Sequence, residues 1–161
     1  MPTSSQESNE RKKVGMLVPP PILLVALIAI CVAAHAVWFE WFAFSWQRTV
    51  LGALALLVSA GLVMASGRVF KRAGTPVRPV SPATVVVRQG PYRISRNPMY
   101  LGMLGLLAGL GILSGSYCFV AAMAVFAAVV HFGVVLPEER YLEALHGEAY
   151  RQYKRQVRRW L

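Results

Sequence analysis

Forty-one consecutive residues, 97–137, contain no Asp, Glu, Lys or Arg, and this run constrains the fold more than any other feature of the chain. A helix needs about 20 apolar residues to cross a bilayer core about 30 Å thick. The run is therefore long enough for two spans, and a turn-forming Ser-Gly-Ser sequence at 114–116 divides it. Arg96 precedes the run and Glu138-Glu139 follow it, so a hairpin of two spans would bring both polar clusters to one membrane surface.

The composition also indicates a membrane protein. Of the 161 residues, 56% are hydrophobic and 15% are charged, a balance shifted away from that of soluble proteins. Two more uncharged stretches precede the long run, so we predict an all-α integral membrane protein with four transmembrane helices. The predicted parts are an N-terminal tail at 1–16 and a single domain at 17–161, with spans at about 17–39, 48–67, 98–113 and 117–136, a cytoplasmic loop at 68–97 and an amphipathic interfacial helix at 138–161.

The distribution of cations predicts the orientation. Sixteen of the 17 Lys and Arg residues lie before span one, between spans two and three, or after span four, and Arg48 alone lies on the other side. The positive-inside rule then places both termini in the cytoplasm. The net charge of +10 does not indicate nucleic-acid binding, because the cations are confined to juxtamembrane segments that suit anionic lipid headgroups.

Small residues within the predicted spans are interpreted as packing residues. Gly102, Gly105, Gly109 and Gly111 would let a neighbouring helix or a ligand approach the backbone closely, and helix packing is the favoured interpretation. Cys31 and Cys118 are the two cysteines of the chain, and their positions offer neither a disulfide framework nor a metal-ligand spacing. No metal site is predicted.

The dipeptide Asn97-Pro98 is a typical helix start, because Asn favours the N-cap and Pro favours the first helical position. A helix N-terminus presents unpaired N–H groups and a positive dipole end, and Arg96 stands just before it. This corner suits a carboxylate or a phosphate, although a plain helix start fits the same residues. Tyr92 and Tyr100 on either side fit a site or interfacial anchors.

Glu138 and Glu139 are a sharper functional signal, because the chain has only seven acidic residues and the hairpin returns these two to the Asn97 corner. They fit an ion pair with Arg93 or Arg96. They fit equally a carboxylate that accepts hydrogen bonds from the hydroxyl groups of a ligand, such as a ribose diol.

His131 lies seven positions before Glu138, on nearly the same face of a regular helix and about two turns deeper in the membrane. An ionisable side chain at that depth is a candidate for function. An interhelical hydrogen bond is the alternative.

Three segments together resemble the isoprenylcysteine carboxyl methyltransferase family and, more distantly, the phospholipid N-methyltransferases. They are GPYRISRNPMYLG at 90–102, the Glu138-Glu139 pair with Leu142, and HGEAYRQYKRQVRRWL at 146–161. The resemblance covers 74–161 and includes GTPVRPVSPATVVV at 74–87, which is typical of bacterial members. It implies a multi-pass methyltransferase of the bacterial inner membrane that uses S-adenosylmethionine to methylate a membrane-embedded or hydrophobic acceptor, such as an isoprenylcysteine carboxylate or a lipid headgroup.

The resemblance also implies where the cofactor binds, between the cytoplasmic loop and the carboxylates after span four. Glu138 corresponds to the cofactor-binding glutamate of the family. The other residues expected at the cofactor are Thr84, Val85, Val86, Val87, Tyr92, Arg96, Asn97, Pro98, Met99 and Tyr100.

The chain departs from the family pattern at three positions. The family often has His where this chain has Thr84 and Asn97. Eukaryotic isoprenylcysteine enzymes have a substrate-contacting arginine where this chain has Val134, which weakens the case for a prenylated cysteine carboxylate and leaves a lipid acceptor open.

Methyl transfer from a sulfonium is an in-line displacement, so alignment and water exclusion should supply most of the catalysis. A carboxylate acceptor needs no general base, whereas an amine or hydroxyl does, and the catalytic candidates are Glu139, His131 and Tyr100. Two other functions stay open at this point. One is an NADPH-dependent membrane reductase related to sterol reductases, and the other is a non-catalytic lipid-binding protein.

Overall fold

Helices account for nearly all of the chain that the computed structural model describes, which is residues 19–38, 45–72 and 88–161. The predicted tail at 1–16 and the part of the loop at 73–87 lie outside these ranges. The all-α fold class is confirmed for the described residues. The helices are α1 (Pro20–Trp38), α2 (Trp46–Arg72), α3 (Pro98–Ser114), α4 (Cys118–Val130), α5 (Leu136–His146) and α6 (Glu148–Gln156), with a 3-10 turn at Gly90–Arg93 and a π-helical turn at His131–Val135.

Three helices in the described ranges are long and apolar enough to cross a membrane, namely α1, α2 and the continuous helix Cys118–His146. Their surfaces carry exposed apolar side chains, as contact with lipid requires; Leu57 and Val58 of α2 are 70% and 71% exposed. The predicted third span, α3, is apolar but has only 17 residues. At 1.5 Å per residue its length is about 26 Å, less than a hydrocarbon core of about 30 Å. A crossing by α3 therefore stays a prediction.

Helix α2 continues to Arg72, five residues past the predicted end of the second span at 67. Lys71 and Arg72 form its last turn. Lys and Arg are good helix formers, and their charge is favourable near the negative end of the helix dipole. The polar segment predicted as a loop at 68–97 therefore begins as helix.

Helices α2 and α3 pack closely through small residues. A Cβ atom added at Gly102 would lie 2.6 Å from Val63 Cγ2, and one added at Gly105 would lie 2.2 Å from Ser59 Oγ. Gly109 meets Leu56 in the same way, one helical turn further along. The predicted role of these glycines in helix packing is confirmed.

The apolar core lies between α1, α3 and the helix that begins with α4. Leu107 and Phe126 are fully buried at its centre. Val134, the position at which eukaryotic isoprenylcysteine enzymes have arginine, is also buried in this core. The core residues are Leu24, Cys31, Met103, Leu107, Phe119, Ala122, Phe126, Val130, Val134 and Val135.

The helix of the predicted last span continues beyond 136. The π-helical turn His131–Val135 joins α4 to α5, and the Leu136 N–H donates to the carbonyl of His131 within it. Pro137 directly follows the π-helical turn, where the regular α-helical hydrogen-bond pattern is already interrupted. The chain therefore stays helical to His146.

The single interfacial helix predicted for 138–161 is wrong in its extent. Gly147, with a φ of 54°, breaks the helix after His146 as expected, and α6 has only nine residues. Glu143 lies 2.8 Å from Lys154 Nζ and stabilises this corner. One face of α6 buries Tyr150 and Tyr153 against protein, and residues 157–161 are not helical.

The two cysteines are neighbours. Cys31 Sγ in α1 and Cys118 Sγ at the start of α4 lie 2.8 Å apart. Both are free thiols in the structure, as expected, and they pack in or against the apolar core. Their proximity was not predicted, because residues 87 positions apart are brought together only by the packing of α1 on α4.

Candidate functional site

The candidate site forms where the segment just before α3 meets the segment that follows α6. Ser95 and Arg158 form an isolated parallel β-bridge, and the Arg96 N–H donates to the Arg158 carbonyl at 2.9 Å. This backbone pairing satisfies polar groups that neither segment satisfies within a helix. It also fixes the side chains of both segments against the base of α5.

The Arg159 carbonyl is a shared acceptor at the start of α3. It accepts hydrogen bonds from Asn97 Nδ2 at 3.0 Å and from Ser95 Oγ at 3.3 Å. Asn97 stands at the N-cap position as predicted, but its side chain does not cap the helix. The amide group instead ties the start of α3 to residue 159.

Glu139 lies between two guanidinium groups and is 6% exposed. Arg159 donates to both carboxylate oxygens, and Arg96 Nη1 lies 3.0 Å from Oε1. The predicted ion pair between a glutamate of α5 and an arginine before α3 is thus confirmed. The hydrogen bonds that Arg159 donates to Glu139 raise the pKa of Arg159.

Glu138 points in another direction, because successive residues of a helix are about 100° apart. Its carboxylate makes no ion pair or hydrogen bond with the described residues. Its charge acts on Tyr92 and Tyr100, which lie beside it. One carboxylate of the pair is therefore engaged in structure, and the other faces two phenols.

Tyr92 is buried in the 3-10 turn and held at both ends. Its carbonyl accepts a hydrogen bond from the Tyr153 hydroxyl at 2.7 Å, and its own hydroxyl lies within hydrogen-bonding reach of Ser66 in α2. Burial raises the pKa of the Tyr92 phenol, and the charge of Glu138 raises it further. Tyr92 is therefore a neutral hydrogen-bonding group at ordinary pH rather than a base.

Arg96 has unused hydrogen-bonding capacity. Its side chain is 9% exposed, and neither Nε nor Nη1 has a hydrogen-bond partner among the described residues. The Nη1 contact with Glu139 is close enough for an ion pair, but its direction is unfavourable for a hydrogen bond. Tyr150 lies within hydrogen-bonding reach of the same guanidinium.

His131 is engaged by the segment after α6. Its Nδ1 accepts a hydrogen bond from Trp160 Nε1 at 3.3 Å, and the two ring centroids lie 6.0 Å apart. The π-helical turn lies between His131 and Glu138 and takes up about one extra residue, or about 100° of rotation. The two side chains therefore do not share a face as a regular helix would require.

The remaining predicted residues fall into three groups. Pro98 is fully buried at the start of α3. Met99 and Tyr100 are partly buried and pack on the apolar core. The residues Thr84, Val85, Val86 and Val87 lie outside the described residues.

Comparison with known proteins decides the family. A family model described as phospholipid methyltransferase matches residues 47–149, more than half of the chain. The chain belongs to the phospholipid methyltransferase family. An uncharacterised protein of Haemophilus influenzae is 36% identical over 63 residues, which are 39% of this chain and 100% of that protein. No solved structure matches significantly.

Membership of the phospholipid methyltransferase family suggests a class of reaction for a protein with these apolar helices. The match contains both Arg96 and the Glu138-Glu139 pair, so the two halves of the site belong to the part of the chain that defines the family. Together with three helices that could span a membrane, the match indicates a multi-pass membrane protein of a methyltransferase family.

Several residues of the site were missed from the sequence. Arg159 and Trp160 follow the region matched to the phospholipid methyltransferases, and no local pattern predicts that the chain returns there. A signal did exist for Tyr153, which falls on the apolar stripe of α6. The missed residues are Ser66, Ser95, Tyr150, Tyr153, Arg159 and Trp160.

Proposed function

We propose that the protein is an S-adenosylmethionine-dependent methyltransferase whose acceptor is a lipid headgroup or another membrane-embedded molecule. The arrangement of the two glutamates is the observation that carries this proposal. Glu139 is neutralised by Arg96 and Arg159, while Glu138 faces Tyr92 and keeps its carboxylate available. Family membership supplies the reaction class.

The polar groups of the site suit the charges of S-adenosylmethionine, which has an ammonium, a carboxylate and a ribose diol. Glu138 would accept hydrogen bonds from the diol or the ammonium group. The unpartnered Nε of Arg96 would donate to the carboxylate. The 3-10 turn with Tyr92 would support the cofactor from the side of α2.

S-adenosylmethionine supplies an electrophilic methyl group on a positively charged sulfur. The residues of this chain would align the acceptor and exclude water, which are the main requirements of an in-line displacement. We assign Glu139 to positioning, because the guanidinium groups of Arg96 and Arg159 engage both of its carboxylate oxygens. Tyr100 is the catalytic candidate beside Glu138, whereas His131 is hydrogen-bonded to Trp160.

A lipid headgroup fits the structure better than a prenylated cysteine carboxylate. Val134 is buried in the apolar core and presents no cation to an acceptor carboxylate. The exposed apolar surfaces of α1 and α2 would give a lipid direct access from the bilayer. We further propose a location in the bacterial inner membrane with both termini in the cytoplasm, which puts the site on the side where S-adenosylmethionine is made.

Two measurements on protein in lipid nanodiscs test the function. Calorimetry should detect binding of S-adenosylmethionine or S-adenosylhomocysteine, and ligand at 100 times its Kd should stabilise the fold by about 2.7 kcal/mol. Incubation with methyl-deuterated S-adenosylmethionine and bacterial lipid extract should give a lipid that is three mass units heavier than its unlabelled methylated form. Mass spectrometry would identify the acceptor.

Suitable controls separate this proposal from its alternatives. Glu138→Gln should weaken cofactor binding and reduce transfer, whereas Glu148→Gln changes an exposed carboxylate of α6 and should leave both unchanged. Stabilisation by NADPH but not by S-adenosylhomocysteine would replace the proposal with a reductase. Stabilisation by neither ligand would indicate a non-catalytic protein.

A further inference from the structure

The two cysteines of the chain form a pair in the half of the helices that is farther from the Glu139 site. Cys118 is the first residue of α4, directly after the turn that joins it to α3. Cys31 lies in α1, seven residues before that helix ends at Trp38. Their sulfur atoms are 2.8 Å apart, within reach of a covalent bond of about 2.0 Å after a small adjustment of side chains.

We propose that Cys31 and Cys118 form an intramolecular disulfide that links α1 to α4. The sequence contains no other cysteine, so neither thiol has a competing partner within the chain. Cys31 is 1% exposed in the apolar core, which prevents it from meeting a thiol of another molecule. Cys118 is partly exposed and is the sulfur that an oxidant can reach.

The position of the pair agrees with an oxidising compartment. The cations place the Glu139 end of the molecule at the cytoplasm, so the turn between α3 and α4 faces the other side of the membrane. Disulfides form and persist in the bacterial periplasm, whereas cytoplasmic thiols are kept reduced. The proposal uses this orientation but not the methyltransferase activity.

The chemistry is a thiol–disulfide exchange with a disulfide-bonded oxidant, either a protein or oxidised glutathione. Cys118 attacks the oxidant disulfide and forms a mixed disulfide, and one oxidant thiol leaves. Cys31 then attacks Cys118 Sγ and releases the second oxidant thiol. The two protein thiols lose two electrons and two protons, and the oxidant disulfide gains both as it becomes two thiols.

The link would connect two parts of the chain that are far apart in sequence. The cysteines are separated by 87 positions, and cross-linking so long a segment restricts the unfolded chain strongly. Helix α1 otherwise contacts the rest mainly through apolar packing on α4. The disulfide would therefore hold α1 in place when the membrane environment is perturbed.

Counting free thiols tests the proposal. Cells that express the full chain are treated with N-ethylmaleimide, and the protein is then denatured and exposed to a polyethylene glycol maleimide with or without a reductant. The proposal predicts no adduct without reductant and two adducts after reduction. Free thiols on both cysteines, seen as N-ethylmaleimide or as polyethylene glycol adducts without reductant even after incubation of purified protein with oxidised glutathione, would overturn it, and so would a disulfide-linked dimer.

Serine variants control for accessibility and folding. Cys31→Ser leaves the partly exposed Cys118, which should react with N-ethylmaleimide and give no adduct after reduction. Cys118→Ser leaves the buried Cys31, which should give one adduct after denaturation, with or without reductant. A reductant should also lower the thermal unfolding midpoint of the wild-type protein, but not that of the double serine variant. An equal response of both proteins to reductant would contradict the link.

Discussion

Arg159 donates two hydrogen bonds to the carboxylate of Glu139, from Nε to Oε1 at 3.0 Å and from Nη2 to Oε2 at 2.9 Å. Such a bidentate pair fixes orientation as well as distance. The carbonyl of the same arginine accepts the amide of Asn97. A single residue therefore connects the base of α5, through its side chain, to the start of α3, through its carbonyl.

Arg159→Ala should destabilise the fold by about 1–2 kcal/mol, since hydrogen bonds to charged groups contribute this much and the side chain is partly exposed. Binding of S-adenosylmethionine should weaken as well. Arg96 and Arg159 share Glu139 as their counterion, and without Arg159 the carboxylate would pair with Arg96 alone. Thermal unfolding and calorimetry measure the two effects. Arg158→Ala is the matched control, since the exposed Arg158 side chain is lost but its backbone pairing is kept. Equal effects of the two variants would contradict the role of the Arg159 side chain in holding Glu139.

Glu138→Gln and Glu139→Gln should separate binding from folding. Glu139→Gln leaves two guanidinium groups without a charged partner and should destabilise the fold by about 3 kcal/mol. Glu138→Gln removes a carboxylate without a partner among the described residues, so the unfolding midpoint should change little while cofactor affinity falls on the order of tenfold. If Glu138→Gln instead destabilised the fold and Glu139→Gln mainly weakened cofactor binding, the structural role would belong to Glu138 and the binding role to Glu139.

Gly102→Ala should destabilise the packing of α2 on α3 by about 1–3 kcal/mol. The new Cβ would lie 2.6 Å from Val63 Cγ2 and 3.0 Å from the Ser59 carbonyl oxygen, and backbone cannot move aside easily. Gly61→Ala is the control, because nothing lies within 4 Å of a Cβ at that position. Similar unfolding midpoints for the two variants would exclude close packing as the reason for Gly102.

Trp160→Phe removes the donor to His131 Nδ1, and His131→Phe removes the acceptor. If the hydrogen bond is the main role of the histidine, a double-mutant cycle should give a coupling of about 0.5–1.5 kcal/mol in the free energy of unfolding. Methyl transfer at saturating cofactor should fall by less than tenfold in His131→Phe. A loss of several orders of magnitude would instead make His131 the general base.

Alkaline unfolding should report on Tyr153. Burial raises the pKa of Tyr153 to about 12, above the ordinary value near 10. Between these two pKa values the folded state keeps a phenol proton that the unfolded state loses. The contribution of the neutral phenol to the free energy of unfolding is therefore fully present below about pH 10 and is lost as the pH rises to about 12. Denaturant titrations across that range should show a smaller decrease in the free energy of unfolding for Tyr153→Phe than for the wild type. Tyr117→Phe, at an exposed tyrosine, should behave like the wild type.

Features set by local chemistry could be predicted from the sequence. Asn97-Pro98 begins a helix, Gly147 ends one, and the hairpin brings Glu139 to Arg96. In each case the signal lies in neighbouring residues or in the length of an apolar run. The close approach of α2 at Gly102 was predictable for the same reason.

Features that depend on chain reversal could not be predicted. Arg159 reaches Glu139 only because Gly147 turns the chain and the following segment pairs with Ser95. The contact between Cys31 and Cys118 depends on which face of α1 meets α4, and both helices are apolar around most of their circumference. Uniform hydrophobicity leaves helix rotation undetermined by pattern alone.

The π-helical turn makes the last long helix tolerant of changes in length. A single π-helical turn holds about one residue more than the α-helix on either side of it. Deletion of one residue within His131–Val135 could be absorbed by return to a regular helix, without rotating α5 relative to α4. Related chains can therefore gain or lose one residue in this turn without a change in the direction of the Glu138 and Glu139 side chains.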